Sequence, residues 1–205
     1  TIVLSFIITA LILKNSNASS SPWHVDLFRF RLAQIFLRPA VSATLQALSV
    51  GLFVLVLCAG FFGINDTLSN FAPTFVWIIW WIAFAYIAAL IGDFWPVINP
   101  WRILFDVTVK LTRDFGKRSK LNFRITYPPW LGVWPATALF VIFAWFELIY
   151  DAAKLPRSLA MFIVAYSVLT WLGMMVFGRD QWLSKGEAFS IVFRVFGRFA
   201  PIGRT

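Results

Sequence analysis

Polar residues are scarce along this chain and fall in clumps, with long apolar runs between them. Runs at 44–63, 74–92, 131–150 and 157–177 each approach the ~20 residues that a helix needs to cross a bilayer. They are apolar on every face, the pattern of a helix surrounded by lipid or by other helices. A shorter run, 1–14, opens the chain at Thr1 without a Met, which reads as the incomplete first span of a processed or partial chain. A second kind of segment is amphipathic. At 22–38, Phe28, Leu32, Ile35 and Phe36 recur at helical spacing against Asp26, Arg29, Arg31 and Arg38. At 100–115, Trp101, Leu104, Phe105, Thr108 and Leu111 share one face, and at 187–199 Phe189, Val192, Phe193, Phe196 and Phe199 do the same.

Local signals punctuate these segments. Ser21-Pro22 and Asn99-Pro100 pair a capping residue with a proline at the first helical position. Pro73 opens the third span, and Ser184 to Glu187 has the spacing of a capping box. The pattern predicts an all-α fold. It is a multi-pass transmembrane helical bundle of about five spans, the first incomplete, with two or three interfacial amphipathic helices. The whole of 1–205 reads as a single membrane domain. Spans three and five end alike, in Gly92, Asp93 and Trp95 and in Gly178, Arg179 and Trp182, each followed by an amphipathic helix; this reads either as a weak internal repeat or as the same boundary chemistry used twice.

Composition agrees with the pattern. Of 205 residues, 60% are hydrophobic and 13% charged, against about 25% charged in soluble domains. Mean hydropathy is +0.79. The net charge of +9 sits beside the spans, where anionic headgroups account for it, so nucleic acid is not the expected partner and membrane lipid is. Lys14, Arg29, Arg31 and Arg38 follow span one; Arg102, Lys110, Arg113, Lys117, Arg118, Lys120 and Arg124 follow span three. Arg179, Lys185, Arg194, Arg198 and Arg204 follow span five, whereas the other connections carry only Lys154 and Arg157. The positive-inside rule then places 14–41, 93–130 and 178–205 in the cytoplasm of a bacterium and the spans in its inner membrane. The lone Cys58 excludes an intrachain disulfide.

Candidate chemistry is sparse. Glu147 is an acid inside the fourth span, the kind of residue that is commonly functional, although it also lies near enough to the span end to reach headgroups. Gln46 reads as an interhelical hydrogen bond. His24, the only histidine, is a weak candidate for axial ligation of a haem or pigment and is otherwise a solvated interfacial residue. Trp77, Trp80 and Trp81 form a stripe on one face, more readily a packing surface than a pigment platform. Asp93, Asn99, Arg102, Asp106, Arg179, Asp180 and Glu187 collect at the expected cytoplasmic interface. There Arg102 is expected to pair with Asp180 or Glu187, and Arg179 with Asp93, as a lock between boundary helices or a binding site. No metal-ligand spacing, phosphate loop or Ser-His-Asp set is present; bound lipid is the expected cofactor, with a pigment or haem the minor alternative.

The stretches Pro73 to Trp81, Gly92 to Arg102, Leu131 to Pro135, Phe143 to Glu147 and Gly178 to Ser190 resemble, in order, the bacterial integral membrane protein family labelled fenitrothion hydrolase. The resemblance covers about 40–200, and Asn99-Pro-Trp-Arg102 and Gly186-Glu-Ala-Phe-Ser190 are its most specific parts. It implies a longer parent chain and hydrolysis of a lipophilic phosphotriester, with no catalytic set to carry onto these positions. From the residues alone the leading expectation is a non-catalytic integral membrane subunit or scaffold packed against other membrane proteins. The hydrolase is the alternative and a small transporter component the third reading.

Overall fold

In the computed structural model, residues 39–114 and 125–200 are described. The expected span 1–14, the surface helix 22–38 with His24, and the basic stretch 117–124 lie outside the described residues. Every regular element among the described residues is helical. Helix α1 is Pro39–Phe62. Helix α2 runs over Phe71–Ile91, with a wide π-helical middle at Phe75–Ala83. Two shorter pieces follow, α3 at Trp95–Ile98 and α4 at Pro100–Asp114. The second half begins with a single turn at Pro129–Leu131 and continues as α5, Trp134–Leu148, and α6, Pro156–Phe177. It closes with α7, Arg179–Lys185, and α8, Ala188–Gly197.

Four of these, α1, α2, α5 with its preceding turn, and α6, are long and apolar enough to cross a membrane, as the hydrophobic pattern predicts. Proline, which loses no hydrogen bond in a first turn, opens two of them: Pro135 and Pro156 sit in the first turns of α5 and α6. The start of α2 differs from expectation. Asn70, not Pro73, opens it, accepting from the Ala72 amide at 2.8 Å while its own amide donates to Ala59 and Ile64 carbonyls at 2.8 Å. One side chain therefore caps α2 and closes the short loop from α1.

The amphipathic segments differ more. They were expected to lie on the membrane surface, yet α4 and α8 begin deep inside the bundle. Depth is read from their partners. Ser49 Oγ, about 15 Å along α1 at 1.5 Å per residue, donates to the Ile98 carbonyl between α3 and α4. Trp101 Nε1 donates to Ser167 Oγ at 2.7 Å, half-way along α6. Phe189, at the start of α8, packs on Trp80, Trp81 and Phe143 in the middles of α2 and α5. At the other end of α8, Gly197 lies against Asp93, just past the end of α2. Each amphipathic helix is thus the outgoing arm of a hairpin that enters the bundle half-way from the basic end and returns. Burial accordingly falls along α4, from Trp101, buried at its inner end, to Leu111, near its outer end, which is 53% exposed.

The two hairpins complete a repeat. Residues 39–114 and 125–200 each supply two spans, then a glycine with positive φ, Gly92 (133°) or Gly178 (87°), in a region costly for side-chained residues. A short helix with a buried tryptophan follows, Trp95 or Trp182. Next come a buried polar cap, Asn99 or Glu187, and a half-helix. Packing repeats as well. Phe53 of α1 meets Trp101 edge-on at 5.8 Å, and Phe143 of α5 meets Phe189 at 5.0 Å. Tyr166 of α6 lies against Trp101 at 5.0 Å, and Trp80 of α2 against Phe189 at 4.6 Å. The Trp stripe accordingly packs inward on aromatic neighbours from α5 and α8.

Candidate functional site

The centre of the bundle, where the two half-helices start, is the candidate site. Its most polar member is Glu187, which is 0% exposed. The chain reaches it through close backbone packing. The Trp182 indole is held between Gly173 of α6 and Gly186, and a Cβ built at either glycine would fall on the ring. The amides of Gly186 and Glu187 both donate to the Trp182 carbonyl, at 2.7 and 2.9 Å, which ends α7 and turns the chain into α8.

Glu187 then caps α8. Its Oε1 accepts from the Phe189 amide at 3.0 Å and its Oε2 from the Ser190 amide at 2.7 Å. The Tyr166 hydroxyl, from the middle of α6, donates to the same Oε1. These contacts correct the capping box expected at Ser184. That serine belongs to α7 and donates to the Gln181 carbonyl, while Glu187 itself is the cap. Among the described residues, no cation lies within ion-pairing distance of Glu187. The Thr170 hydroxyl, one turn from Tyr166, is buried with no partner.

The first hairpin makes the matching half of the site with neutral groups. Asn99 Oδ1 accepts from the Arg102 amide at 3.2 Å, leaving its Nδ2 buried and unpartnered, as is the Trp95 indole nitrogen. Ser167 passes the Trp101 bond on to the Ile163 carbonyl at 2.6 Å, and Trp171 Nε1 donates to the Trp101 carbonyl at 3.1 Å. Buried unpaired donors are rare because each costs about 1–3 kcal/mol. Four in the described core, at Trp95, Asn99, Thr170 and Trp182, all lie in the two hairpins or on α6 beside them.

The interfacial cluster expected from the sequence is divided among three places. Arg179 Nη1 donates to both oxygens of Asp106 at 2.8 and 2.9 Å and its Nε to Asp180 at 2.8 Å, with Arg102 Nε 3.7 Å from Asp106. The Asp106 hydrogen bond is the chief reason that the Arg179 guanidinium holds its proton more tightly than usual. Asp93 stands apart: burial raises its carboxyl above the ordinary aspartate value, opposed by the Trp95 amide and the charge of Arg194. Asn99 and Glu187 leave the cluster for the interior. The expected pairings of Arg102 with Asp180 or Glu187, and of Arg179 with Asp93, therefore do not form. Asp106 takes both arginines instead, and Glu187 is carried inward by its hairpin.

Glu147 remains on α5, half-buried, with the Trp81 indole as a polar neighbour, and is not part of the centre. Gln46 bonds Ser42 of its own helix at 3.3 Å rather than another span. Tyr166, Ser167 and Thr170 escaped the sequence reading, although three polar positions on one stretch of an apolar span were a usable signal. Among the described residues no group of three or more His, Cys, Asp or Glu comes together as a metal set would. Searches against protein families, curated proteins and solved structures return no match to this chain.

Proposed function

We propose that this chain is an integral membrane protein of the transport class, with its working site at mid-membrane between the two hairpins. One observation carries the reading. A fully buried carboxylate, Glu187, sits at the N-terminus of a half-helix that starts midway along the spans. Ionisable groups at such depth are expensive, and transporters place their sites where broken helices present their N-termini. Capping alone does not call for a charge, because Asn99 performs the same task in the first hairpin with a neutral amide. The interruption that sets up the site falls in the hairpins and leaves the apolar spans whole.

The partner of Glu187 is the Tyr166 phenol, so the pair carries exchangeable hydrogen, and the proton is the ion assigned to it. With the positive-inside rule, the hairpins enter from the cytoplasm of the inner membrane. The subunit reading gives no role to a carboxylate at the bundle centre.

The test uses purified protein in liposomes that trap a pH-sensitive dye, with a potassium diffusion potential imposed by valinomycin. Wild-type protein is expected to admit protons and Glu187→Gln to abolish the flux, with Asp180→Asn, an exposed control, unaffected. Vesicles as tight as protein-free ones would overturn the proposal. Co-elution with other subunits in fixed ratio, and no flux without them, would restore the subunit reading.

A further inference from the structure

A lateral cleft connects this centre with the outside of the bundle. Helices α1 and α2 approach closely at Phe71–Thr74, and α3 and α4 rise against α1 from the basic end. Between these contacts lies a cleft of about 310 Å³. Its rim includes Leu48, 57% exposed, and Ile79, 49% exposed, whereas its floor is formed by the buried Trp95, Trp101, Tyr166 and Phe189. The π-helical middle of α2 contributes Ile79, Trp80 and Ala83. Such wide turns are uncommon and recur at functional sites.

We infer that the cleft holds a single hydrocarbon chain of a membrane lipid, and that substrate reaches the centre sideways from the bilayer. This deepens the transport reading and rests on it. Three observations carry the choice of occupant. The walls run from Leu45 to Val56 along α1, about 16 Å at 1.5 Å per residue, and lie within helices apolar enough to span. Hydrocarbon is therefore the medium at the rim. The cleft also offers water little to bind. The Ser49 and Tyr166 hydroxyls, polar groups of the lining, both donate inward, to the Ile98 carbonyl and to Glu187. The Trp95 indole nitrogen is enclosed by its neighbours. A buried water needs two to four polar partners, and apolar cavities of roughly half this volume stay dry and take up hydrocarbon. Finally, exposure falls from rim to floor, as required of a slot entered from the side.

Photolabelling tests the inference. The full chain is reconstituted in vesicles containing a phospholipid with a diazirine in the middle of one acyl chain, irradiated, and mapped by mass spectrometry. Adducts are expected on the floor residues Trp95, Trp101, Tyr166 and Phe189 as well as on lipid-facing positions such as Leu90 and Val168. Filling the slot by Ala83→Trp, or by Ile79→Trp at its rim, is expected to remove the floor adducts and keep the outer ones. Ile82→Trp, which faces lipid beside the cleft, should change neither. Adducts confined to the outer faces of the wild-type protein overturn the inference, whatever fills the slot instead. Its failure is separable from that of the transport reading. Floor labelling without proton flux leaves a lipid site and removes the transporter, and flux without floor labelling does the reverse.

Discussion

The rings of Trp101 and Phe189 stack 6.2 Å apart with 11° between their planes, although the residues open two different half-helices. Each follows a buried cap by two positions, Asn99 in one case and Glu187 in the other. The two hairpins therefore meet through equivalent residues, and the polar centre is shared between the halves of the chain. Aromatic rings suit this junction because they bury large area while offset stacking and edge contacts fix their mutual geometry.

Removing the cap at this junction should be costly. Glu187→Ala loses a helix cap, about 1 kcal/mol, and strands the Tyr166 hydroxyl in the core, about 1–3 kcal/mol more. The melting temperature in detergent is expected to fall by about 5–15 °C, at 2–4 °C per kcal/mol. Tyr166→Phe leaves the cap in place and should cost roughly half as much. An alanine variant as stable as wild type would contradict the capping geometry.

The glycines around Trp182 give a second outcome. Alanine normally favours a helix over glycine by about 1 kcal/mol, so Gly173→Ala would stabilise an isolated α6. Here the added methyl meets the indole, and overpacking of about 1–3 kcal/mol should outweigh that gain. Gly173→Ala is thus expected to lower the melting temperature. Trp182→Leu should recover part of that loss when combined with it, a non-additivity that a double-mutant cycle measures. Simple addition of the two single effects would argue against the contact.

Asp93 should leave a pH signature. Burial raises its carboxyl above 3.8 in the folded chain. A carboxyl raised in this way adds stability that is fully present below its unfolded value and lost as pH rises through its folded value. Asp93→Asn keeps an acceptor for the Trp95 amide and removes the buried charge. It should modestly raise the melting temperature at pH 7 and leave it unchanged at about pH 3, below the unfolded aspartate value. An equal effect at both pH values would assign the change to packing instead.

Sidedness can be read with single cysteines after Cys58, exposed on α1, is replaced by serine. Leu68→Cys, in the short loop and 93% exposed, should react with a membrane-impermeant maleimide on intact cells. Lys110→Cys, at the basic end, should react only after permeabilisation. The reverse pattern would invert the topology and place the hairpins on the outer side.

Span number and position within the described residues, and the helical class, were settled by the chain itself. Long all-round apolarity has few solutions other than a membrane helix, and proline and asparagine at its borders have local effects. Hairpin depth was not so determined. An amphipathic helix on a membrane surface and a half-helix rising from the interior to the surface carry the same one-sided pattern, and periodicity reports faces without reporting depth. Tertiary packing made that decision, chiefly through the seat of Trp182 between two glycines and through the Ser49 and Trp101 hydrogen bonds. For the same reason Glu187 read as one member of an interfacial charge cluster. Its place at the centre depends on Tyr166, 21 residues away along the chain, and only the folded chain brings the two together.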